Sequence, residues 1–180
     1  MSERVLTVRN TDFRIRLRDL AMAVSLVAGF LVLGAGCGGP TGYQEIPGPL
    51  PDGTLQIKGK TVQVEIALDA ESRTRGLMFR KPEELPRDSG MLFFSSDSRR
   101  QSFFMKNTLI PLSIAFLDDE GKILQIEDMQ PHDLSQTTSK ESCRWALEMH
   151  QGWFDDNGIA KGDVFDDFRS SIEKTVGSSL

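Results

Sequence analysis

Apolar residues alternate with polar ones in several short stretches of the chain, which indicates β-strands with one buried face. Strands are predicted at 54–57 and 61–68, and a tight turn is predicted between them at 58–60. Asp69 is expected to cap a short helix that ends near Gly76, where a positive φ is often required. The pattern therefore begins with a hairpin followed by a helix.

The second half of the chain carries longer apolar stretches. Residues 90–94 form an apolar run of strand length, and a charged turn is predicted at 97–100. Residues 112–117 and 122–126 flank an acidic turn and predict a hairpin. Residues 143–149 alternate as well, which predicts a strand that is buried on one face and polar on the other.

The C-terminal part is predicted to hold one or two helical turns at 150–157, a last strand at 163–168 and a flexible tail at 170–180. Short strands with one or two brief helices predict a mainly β protein. We therefore expect a single β-rich domain over residues 53–169, built as a compact antiparallel β-sandwich or in a barrel-like form.

The N-terminal segment has a different pattern. Residues 1–19 carry five arginines against three acids, and residues 20–35 are then free of charge. A basic flank, a short apolar stretch and small residues are typical of a secretory signal. The apolar stretch is short for a membrane span, which needs about 20 residues. An uncleaved N-terminal membrane anchor is the alternative.

Cys37 indicates which kind of secretory signal this segment is. The small residues at 34–36 followed by Cys37 resemble a bacterial lipobox, in which the cysteine is acylated and becomes the new N-terminus. Such boxes usually carry leucine three residues before the cysteine, whereas Leu33 lies four residues before it. We predict a lipoprotein-type signal sequence at 1–36, with membrane lipid bound through acylated Cys37. The domain would then face the periplasm or the exterior at the bacterial cell envelope.

Glycine and proline dominate residues 37–52, which predicts a tether between the lipid anchor and the domain. Without residues 1–36 the chain holds 16 basic and 23 acidic side chains, a formal net charge of −7. Proteins that bind nucleic acids usually present a basic face. Nucleic acid is therefore not expected as a partner.

The stretch 102–112 places a lysine and an asparagine directly after an apolar run. Lys106 would end a strand beside aromatic side chains, where its ammonium could meet an anionic or carbonyl group, and Asn107 would form a turn. The simpler interpretation is a lysine whose alkyl chain covers its aromatic neighbours while its ammonium reaches water.

Basic residues are concentrated between Arg73 and Lys106, where eight of them accompany four acids and give a net charge of +4. If Arg75, Arg80 and Lys106 converge, they would suit a carboxylate or a phosphate. Glu148 lies on the predicted polar face of its strand. It is a candidate partner of Lys106 or Arg75, either in a salt bridge or as a general base. Dispersed surface charge is the alternative.

Metal and sugar sites have weaker support in the sequence. His132 and His150 show no two-histidine helical spacing and no cysteine pair accompanies them, so neither a metal nor another cofactor is predicted. Trp153 with Phe154 and Trp145 could line a sugar-stacking pocket. Two tryptophans in a chain of this size more often belong to the core.

Several sequence blocks together resemble one known family. They are RGLMFR at 75–80, GMLF at 90–93, FMKNTLIPL at 104–112, ALE at 146–148, GW at 152–153, GI at 158–159 and GD at 162–163. These blocks are similar to those of domain of unknown function 192, a bacterial and archaeal family, over about 62–168. The resemblance implies a compact, mainly β domain, often behind a signal sequence, with no established biochemical activity. The positions that match the family's motifs are Arg75, Gly76, Met78, Arg80, Gly90, Met105, Lys106, Asn107, Pro111, Glu148, Gly152 and Trp153.

The leading hypothesis is an envelope-anchored, β-rich domain that binds a small polar or anionic ligand, or an envelope protein, around Lys106 and Asn107. The candidate ligand-binding residues are Arg75, Arg80, Lys106, Asn107, Glu148 and Trp153. An envelope hydrolase or transferase that uses Lys106 and Glu148 is one alternative. A structural accessory lipoprotein without a small-molecule ligand is another.

Overall fold

The computed structural model describes residues 49–177. Within this range the chain forms eight strands, three α-helices and one short 3-10 helix. In chain order they are β1 Asp52–Ile57, β2 Lys60–Ala67, α1 Ala70–Arg75, the 3-10 helix Pro82–Glu84, β3 Ser89–Arg99, β4 Ser102–Phe103, β5 Leu112–Leu117, β6 Ile123–Met129, β7 Thr137–Thr138, β8 Cys143–His150, α2 Trp153–Asp156 and α3 Phe168–Val176. The predicted signal sequence, Cys37 and most of the predicted tether lie outside the described residues.

Six strands form one large sheet in the order β1-β2-β3-β8-β5-β6, and β4 pairs with β7 in a small second sheet. All pairs of the large sheet are antiparallel except β2 with β3, which are parallel. The prediction of a mainly β fold with short helices in one compact domain is confirmed. Strand β8 is central, since it pairs with β3 on one side and with β5 on the other.

Apolar side chains cover both faces of the large sheet. On one face, alternate residues of the strands pack with α2 and α3. The aromatic members of this group are Phe94, Trp145, Trp153, Phe154, Phe165 and Phe168. We name this group the α3-side cluster. The other face carries the Phe93 cluster, which includes Leu77, Met91, Phe93, Ile114 and Phe116. Phe103 of β4 packs on the Phe93 cluster, with 5.1 Å between the centroids of the Phe93 and Phe103 rings.

The predicted hairpin and the first helix are confirmed. Lys58 and Gly59 have φ values of 49° and 74°, as expected for a two-residue turn between antiparallel strands. Helix α1 begins after Asp69, whose Oδ1 accepts a hydrogen bond from the backbone N–H of Ser72 at 2.8 Å. The helix ends at Gly76, whose φ is 49°.

The predicted charged turn at 97–100 is wrong. Strand β3 continues through this region to Arg99, which pairs with Cys143 of β8. The register of the β3–β8 pair shifts between Phe94 and Arg99. Charged residues therefore extend a strand whose first half is buried.

The C-terminal part also differs from the prediction. Residues 163–168 do not form a strand, because only Val164 and Asp166 make isolated bridges. Helix α3 then occupies most of the range predicted as a flexible tail, 170–180, and its Ile172 is buried. None of the helices in the described range is long and apolar enough to cross a bilayer.

The segment before α3 contacts both outer strands of the large sheet. Asp166 N donates a hydrogen bond to Gln56 O of β1 at 2.7 Å. Ile123 N of β6 donates to Asp163 O at 2.8 Å. The segment 163–166 therefore connects the two edges of the sheet.

Candidate functional site

Glu148 occupies the middle of the large sheet. It lies on β8, directly opposite Met91 of β3 and Ile114 of β5. Residues opposite each other in antiparallel strands share a face, so the Glu148 side chain lies on the face of the Phe93 cluster. The prediction of a polar face for this strand is wrong, because β8 is central and both of its faces are covered.

The carboxyl group of Glu148 has no partner within the described part of the chain. The residue is 5% exposed, and no hydrogen bond or ion pair joins its carboxyl to residues 49–177. Burial raises the pKa of Glu148 to about 8, from an ordinary value of 4.5. The side chain is therefore mostly protonated at neutral pH.

A cavity of about 540 Å³ includes Glu148 in its lining, and we name it the Glu148 cavity. Two arginines of α1, Arg73 and Arg75, line the same cavity. Two more, Arg99 and Arg100, come from the end of β3. The cavity thus combines four positive charges with one protonated carboxyl group.

Arg73 attaches α1 to the sheet. Its Nη1 donates hydrogen bonds to the carbonyl oxygens of Leu68 at 2.6 Å and Phe94 at 3.0 Å. Because Leu68 follows β2 and Phe94 belongs to β3, the helix is fixed over the parallel strand pair. The cavity wall that α1 provides is therefore held by the backbone of two strands.

The side of the cavity that carries Arg99 and Arg100 is held by the loop before β8. Arg100 Nε donates to Ser139 O at 2.8 Å, and the backbone N–H of Gln101 donates to Ser139 Oγ at 2.9 Å. Arg75 and Arg99 are exposed and form no ion pair with any residue between 49 and 177. Their guanidinium groups are therefore available to a ligand.

Lys106 and Asn107 lie in the turn after β4 and do not line the Glu148 cavity. Lys106 is exposed. Asn107 has a φ of 54°, and its carbonyl oxygen accepts a hydrogen bond from Phe79 N at 2.8 Å. Met105 and Thr108, on either side of the turn, are buried. The turn therefore holds the loop after α1 and leaves Lys106 outside the lining of the cavity.

Arg80 forms a bidentate ion pair with Glu65. Nη1 and Nη2 donate to Oε1 and Oε2, each at 2.5 Å. The bond to Glu65 raises the pKa of Arg80 above its ordinary value. Arg80 does not join the Glu148 cavity; it lines a neighbouring cavity of about 460 Å³, to which Arg75 also contributes.

Trp153 is fully buried in the α3-side cluster, on the opposite face of the sheet from Glu148. Its indole N–H donates a hydrogen bond to Asp88 Oδ1 at 2.8 Å. A tryptophan without exposed surface cannot stack on a sugar, and Trp145 and Phe154 belong to the same cluster. These aromatic side chains are core residues.

The two histidines lie apart from the Glu148 cavity. His150 Nε2 is 2.7 Å from the carbonyl oxygen of Leu85, and His132 lies in an exposed turn with a φ of 64°. Between residues 49 and 177, no group of three or more His, Cys, Asp or Glu side chains is arranged to hold a metal ion.

Sequence reasoning did not single out Arg73, Arg99 or Arg100 as residues of the site. A signal was present in the excess of positive charge between Arg73 and Lys106. The charge excess does not show which of the basic residues lie close together. Residues of α1 and of the end of β3 come together only when β2, β3 and β8 are paired.

Comparison with known protein families shows which family the chain belongs to. The model of the DUF192 family, described as Uncharacterized ACR, matches residues 53–166. The chain belongs to the DUF192 family. The match contains the whole large sheet except the first residue of β1, together with Glu148 and the four arginines of its cavity. The resemblance inferred from the sequence blocks is confirmed.

Solved structures resemble the DUF192 domain of this chain. A candidate transcription regulator from Sinorhizobium meliloti 1021 is 30% identical with a TM-score of 0.61, and the alignment covers 68% of this chain and 97% of that one. A protein of unknown function from Novosphingobium aromaticivorans DSM 12444 is 27% identical with a TM-score of 0.58, over 64% of this chain and 83% of that one. No match was found among curated proteins.

Proposed function

We propose that the DUF192 domain of this chain binds a small anionic ligand in the Glu148 cavity. The observation that carries the proposal is the carboxyl group of Glu148, which has no partner between residues 49 and 177 and opens into a cavity lined by four arginines. Binding sites often combine a cavity with a few convergent polar groups and a strongly shifted pKa. Arg75 and Arg99 supply charge, and the protonated Glu148 donates a hydrogen bond to a ligand oxygen.

An organic carboxylate or phosphate fits this cavity better than an inorganic ion. Guanidinium groups bind both kinds of anion through paired hydrogen bonds. The rings of Phe93 and Phe103 line the same cavity and offer apolar contact to a carbon skeleton. The volume of about 540 Å³ lies within the range usual for small-molecule sites.

The test measures binding of acetate, succinate, citrate and inorganic phosphate to the full-length chain in detergent. Calorimetry gives the affinity, and a ligand of the folded state raises the Tm by mass action. Arg75→Gln and Arg99→Gln should each weaken binding about tenfold or more, since a hydrogen bond to a charged group contributes about 1.5–3 kcal/mol. Arg87→Gln removes the same charge outside the cavity and should leave the affinity unchanged.

Two outcomes contradict anion binding in this cavity. In the first, none of the four probes binds. In the second, Arg87→Gln weakens binding as much as Arg75→Gln does, so that only net charge matters. A Tm that responds to an envelope protein and to none of the anions supports the accessory role instead.

Catalysis is a second candidate function, favoured by the pKa of Glu148. A carboxyl group with a pKa of about 8 keeps its proton at neutral pH and can transfer it as a general acid. Lys106 does not line the cavity, so this role falls to Glu148 alone. Turnover of p-nitrophenyl acetate or p-nitrophenyl phosphate that disappears in Glu148→Gln supports a hydrolase, and anion binding without turnover supports a binding protein.

We also propose that the domain is anchored to the bacterial cell envelope through acylated Cys37. The support is the sequence of the leader, with its basic flank, uncharged segment and small residues before Cys37. Labelled palmitate should be incorporated into the wild type and not into Cys37→Ser. A wild-type chain that stays unlabelled in the membrane fraction supports the uncleaved anchor.

A nucleic-acid role is not part of the proposal. The protein from Sinorhizobium meliloti is described as a candidate transcription regulator. The present chain without residues 1–36 has a formal net charge of −7, and the arginines of the Glu148 cavity line a concave site. The charge of the chain therefore does not support binding to the phosphate backbone of a nucleic acid.

A further inference from the structure

A second cavity, of about 460 Å³, lies beside the Glu148 cavity. We name it the Glu65 cavity. The linings of the two cavities share Arg75, Gly76 and Met78. The cavities therefore adjoin at the turn that ends α1, and we name the two together the cleft.

Carboxylates dominate the Glu65 cavity. Asp52, Glu65 and Glu84 line it, together with Arg80 and the shared Arg75. The bidentate bond to Glu65 occupies the guanidinium group of Arg80. Glu84 also attracts Arg80, and the five charged side chains of the lining, three acids and two arginines, leave a net charge of −1.

Asp52 and Glu84 are accessible to a ligand. Both residues are exposed, and neither forms an ion pair with another residue of the described range. Glu84 accepts a hydrogen bond from Lys81 N at 2.9 Å, a neutral donor that leaves the carboxylate charge in place. This end of the cleft is negative and suits a cation.

The opposite end of the cleft is positive. Its four arginines line the same cavity as the carboxyl group of Glu148, which has no partner within the described residues and opens into the cavity. Arg75 lies at the boundary between the two ends. A ligand that fills the whole cleft must therefore carry a negative group and a positive group at some distance from each other.

Gly76 lies at the boundary between the two cavities. Its φ of 49° lies in the left-handed region that favours glycine, and a Cβ placed there would lie 3.4 Å from the Phe93 ring. Residue 76 therefore adds no side chain where the linings of the two cavities meet.

We infer that the cleft binds a short peptide with free ends, its C-terminal carboxylate in the Glu148 cavity and its N-terminal ammonium beside Asp52 and Glu84. This inference rests on the proposed function, since the carboxylate is the anion of that site. A peptide carries opposite charges at its two ends, and each residue of an extended chain adds about 3.3–3.6 Å between them. Trialanine carries these two charges and no other, so it serves as the probe.

The experiment compares three probes on the full-length chain in detergent by calorimetry. They are trialanine, N-acetyl-trialanine and trialanine amide. Acetylation removes the positive charge and should weaken binding about tenfold, and amidation removes the negative charge and should weaken it by at least as much. Trialanine should therefore bind most tightly.

Matched variants assign the ammonium to its cavity. The double variant Asp52→Asn, Glu84→Gln should bind trialanine only as tightly as it binds N-acetyl-trialanine. Its affinity for N-acetyl-trialanine should equal that of the wild type. Glu83→Gln removes a neighbouring acid that does not line the cleft and should preserve the preference for the free amine.

Failure of this inference is distinguishable from failure of the proposed function. Equal affinity for trialanine and N-acetyl-trialanine overturns the peptide inference and leaves anion binding intact, because both probes retain the carboxylate. Equal affinity for trialanine and its amide, together with no binding of succinate or citrate, overturns both. If succinate or citrate binds and trialanine does not, the peptide inference falls alone.

Discussion

Glu148 faces Met91 across the β3–β8 pair, so a titratable side chain occupies a position of the sheet with apolar neighbours. Met91 is 1% exposed, and Ile114 on the other side is fully buried. Such neighbours cannot stabilise a carboxylate, and the position therefore favours the neutral acid.

The first prediction concerns the pH dependence of stability. Glu148 has an ordinary pKa of 4.5 and a pKa of about 8 in the folded protein, so the folded state binds more protons between these values. The contribution of Glu148 to the free energy of unfolding is complete below pH 4.5 and is lost as the pH rises through the folded pKa. Between these two pKa values the free energy of unfolding should fall by about 1.4 kcal/mol per pH unit. Urea denaturation across this pH range measures it.

Glu148→Gln provides the control for that slope. Glutamine has nearly the same size and does not titrate, so the variant should lack the loss of stability that Glu148 causes between pH 4.5 and 8. Parallel pH profiles for the wild type and the variant would show that Glu148 is ionised in the folded protein, against the structure.

The second prediction concerns the pH dependence of ligand binding. The affinity for succinate should fall once the pH exceeds about 8, because ionised Glu148 repels an anion and no longer donates a hydrogen bond. The arginines of the cavity keep their charge throughout this range. In Glu148→Gln the affinity should not change with pH there. A wild-type affinity that is constant up to pH 10 contradicts a role for the Glu148 proton.

The third prediction concerns the close approach of β3 and β8 at Gly90. A Cβ at this position would lie 2.2 Å from the carbonyl oxygen of Glu148 and 2.5 Å from Met149 Sδ. Gly90→Ala should lower the free energy of unfolding by about 2–4 kcal/mol, since the backbone of β8 must move. Gly59→Ala has open space and a φ of 74°, and should cost only about 1 kcal/mol. Equal losses in the two variants would rule out the steric explanation.

The fourth prediction separates Trp153 from ligand binding. Trp153→Phe loses the hydrogen bond to Asp88 and part of a buried ring, so the free energy of unfolding should fall by about 1–3 kcal/mol. The affinity for succinate, measured well below the Tm of the variant, should stay as in the wild type. Asp88→Asn retains an acceptor and should be milder. Loss of affinity in a folded Trp153→Phe would return Trp153 to the candidate site.

The fifth prediction concerns the turn after β4. Lys106→Ala should change the free energy of unfolding by no more than about 0.5 kcal/mol, because the side chain is exposed. Its affinity for succinate should match that of the wild type. Asn107→Ala should cost about 1 kcal/mol, since asparagine tolerates the φ of 54° better than alanine does. A large loss of affinity in Lys106→Ala would place the ligand at the turn.

Local patterns predicted the local elements well. The alternation over 61–68 and 143–149 marked β2 and β8, and Asp69 marked the start of α1. The same alternation placed Glu148 correctly on the face opposite Leu147. It could not show that this face is covered, because the covering depends on strands that are distant in the sequence.

Helix α3 was missed although the sequence held a signal for it. Phe168, Ile172 and Val176 recur every four residues, as on one face of a helix, and Phe168 and Ile172 are buried. The apolar residues just before α3 favoured a strand instead. The meeting of Arg75 and Arg99 in one cavity lining had no comparable signal, since it depends on α1 lying beside β2 with Arg73 bonded to the backbone of β3.

The hydrogen bond between Asp166 and Gln56 has a consequence for the order of folding. Strand β1 is made before the other elements of the domain, whereas its partner Asp166 follows 110 residues after Gln56. Contacts between such distant positions carry a large loop-closure entropy and slow the search for the native topology. The domain therefore closes late, and a chain still emerging from the ribosome stays open until its last elements are available.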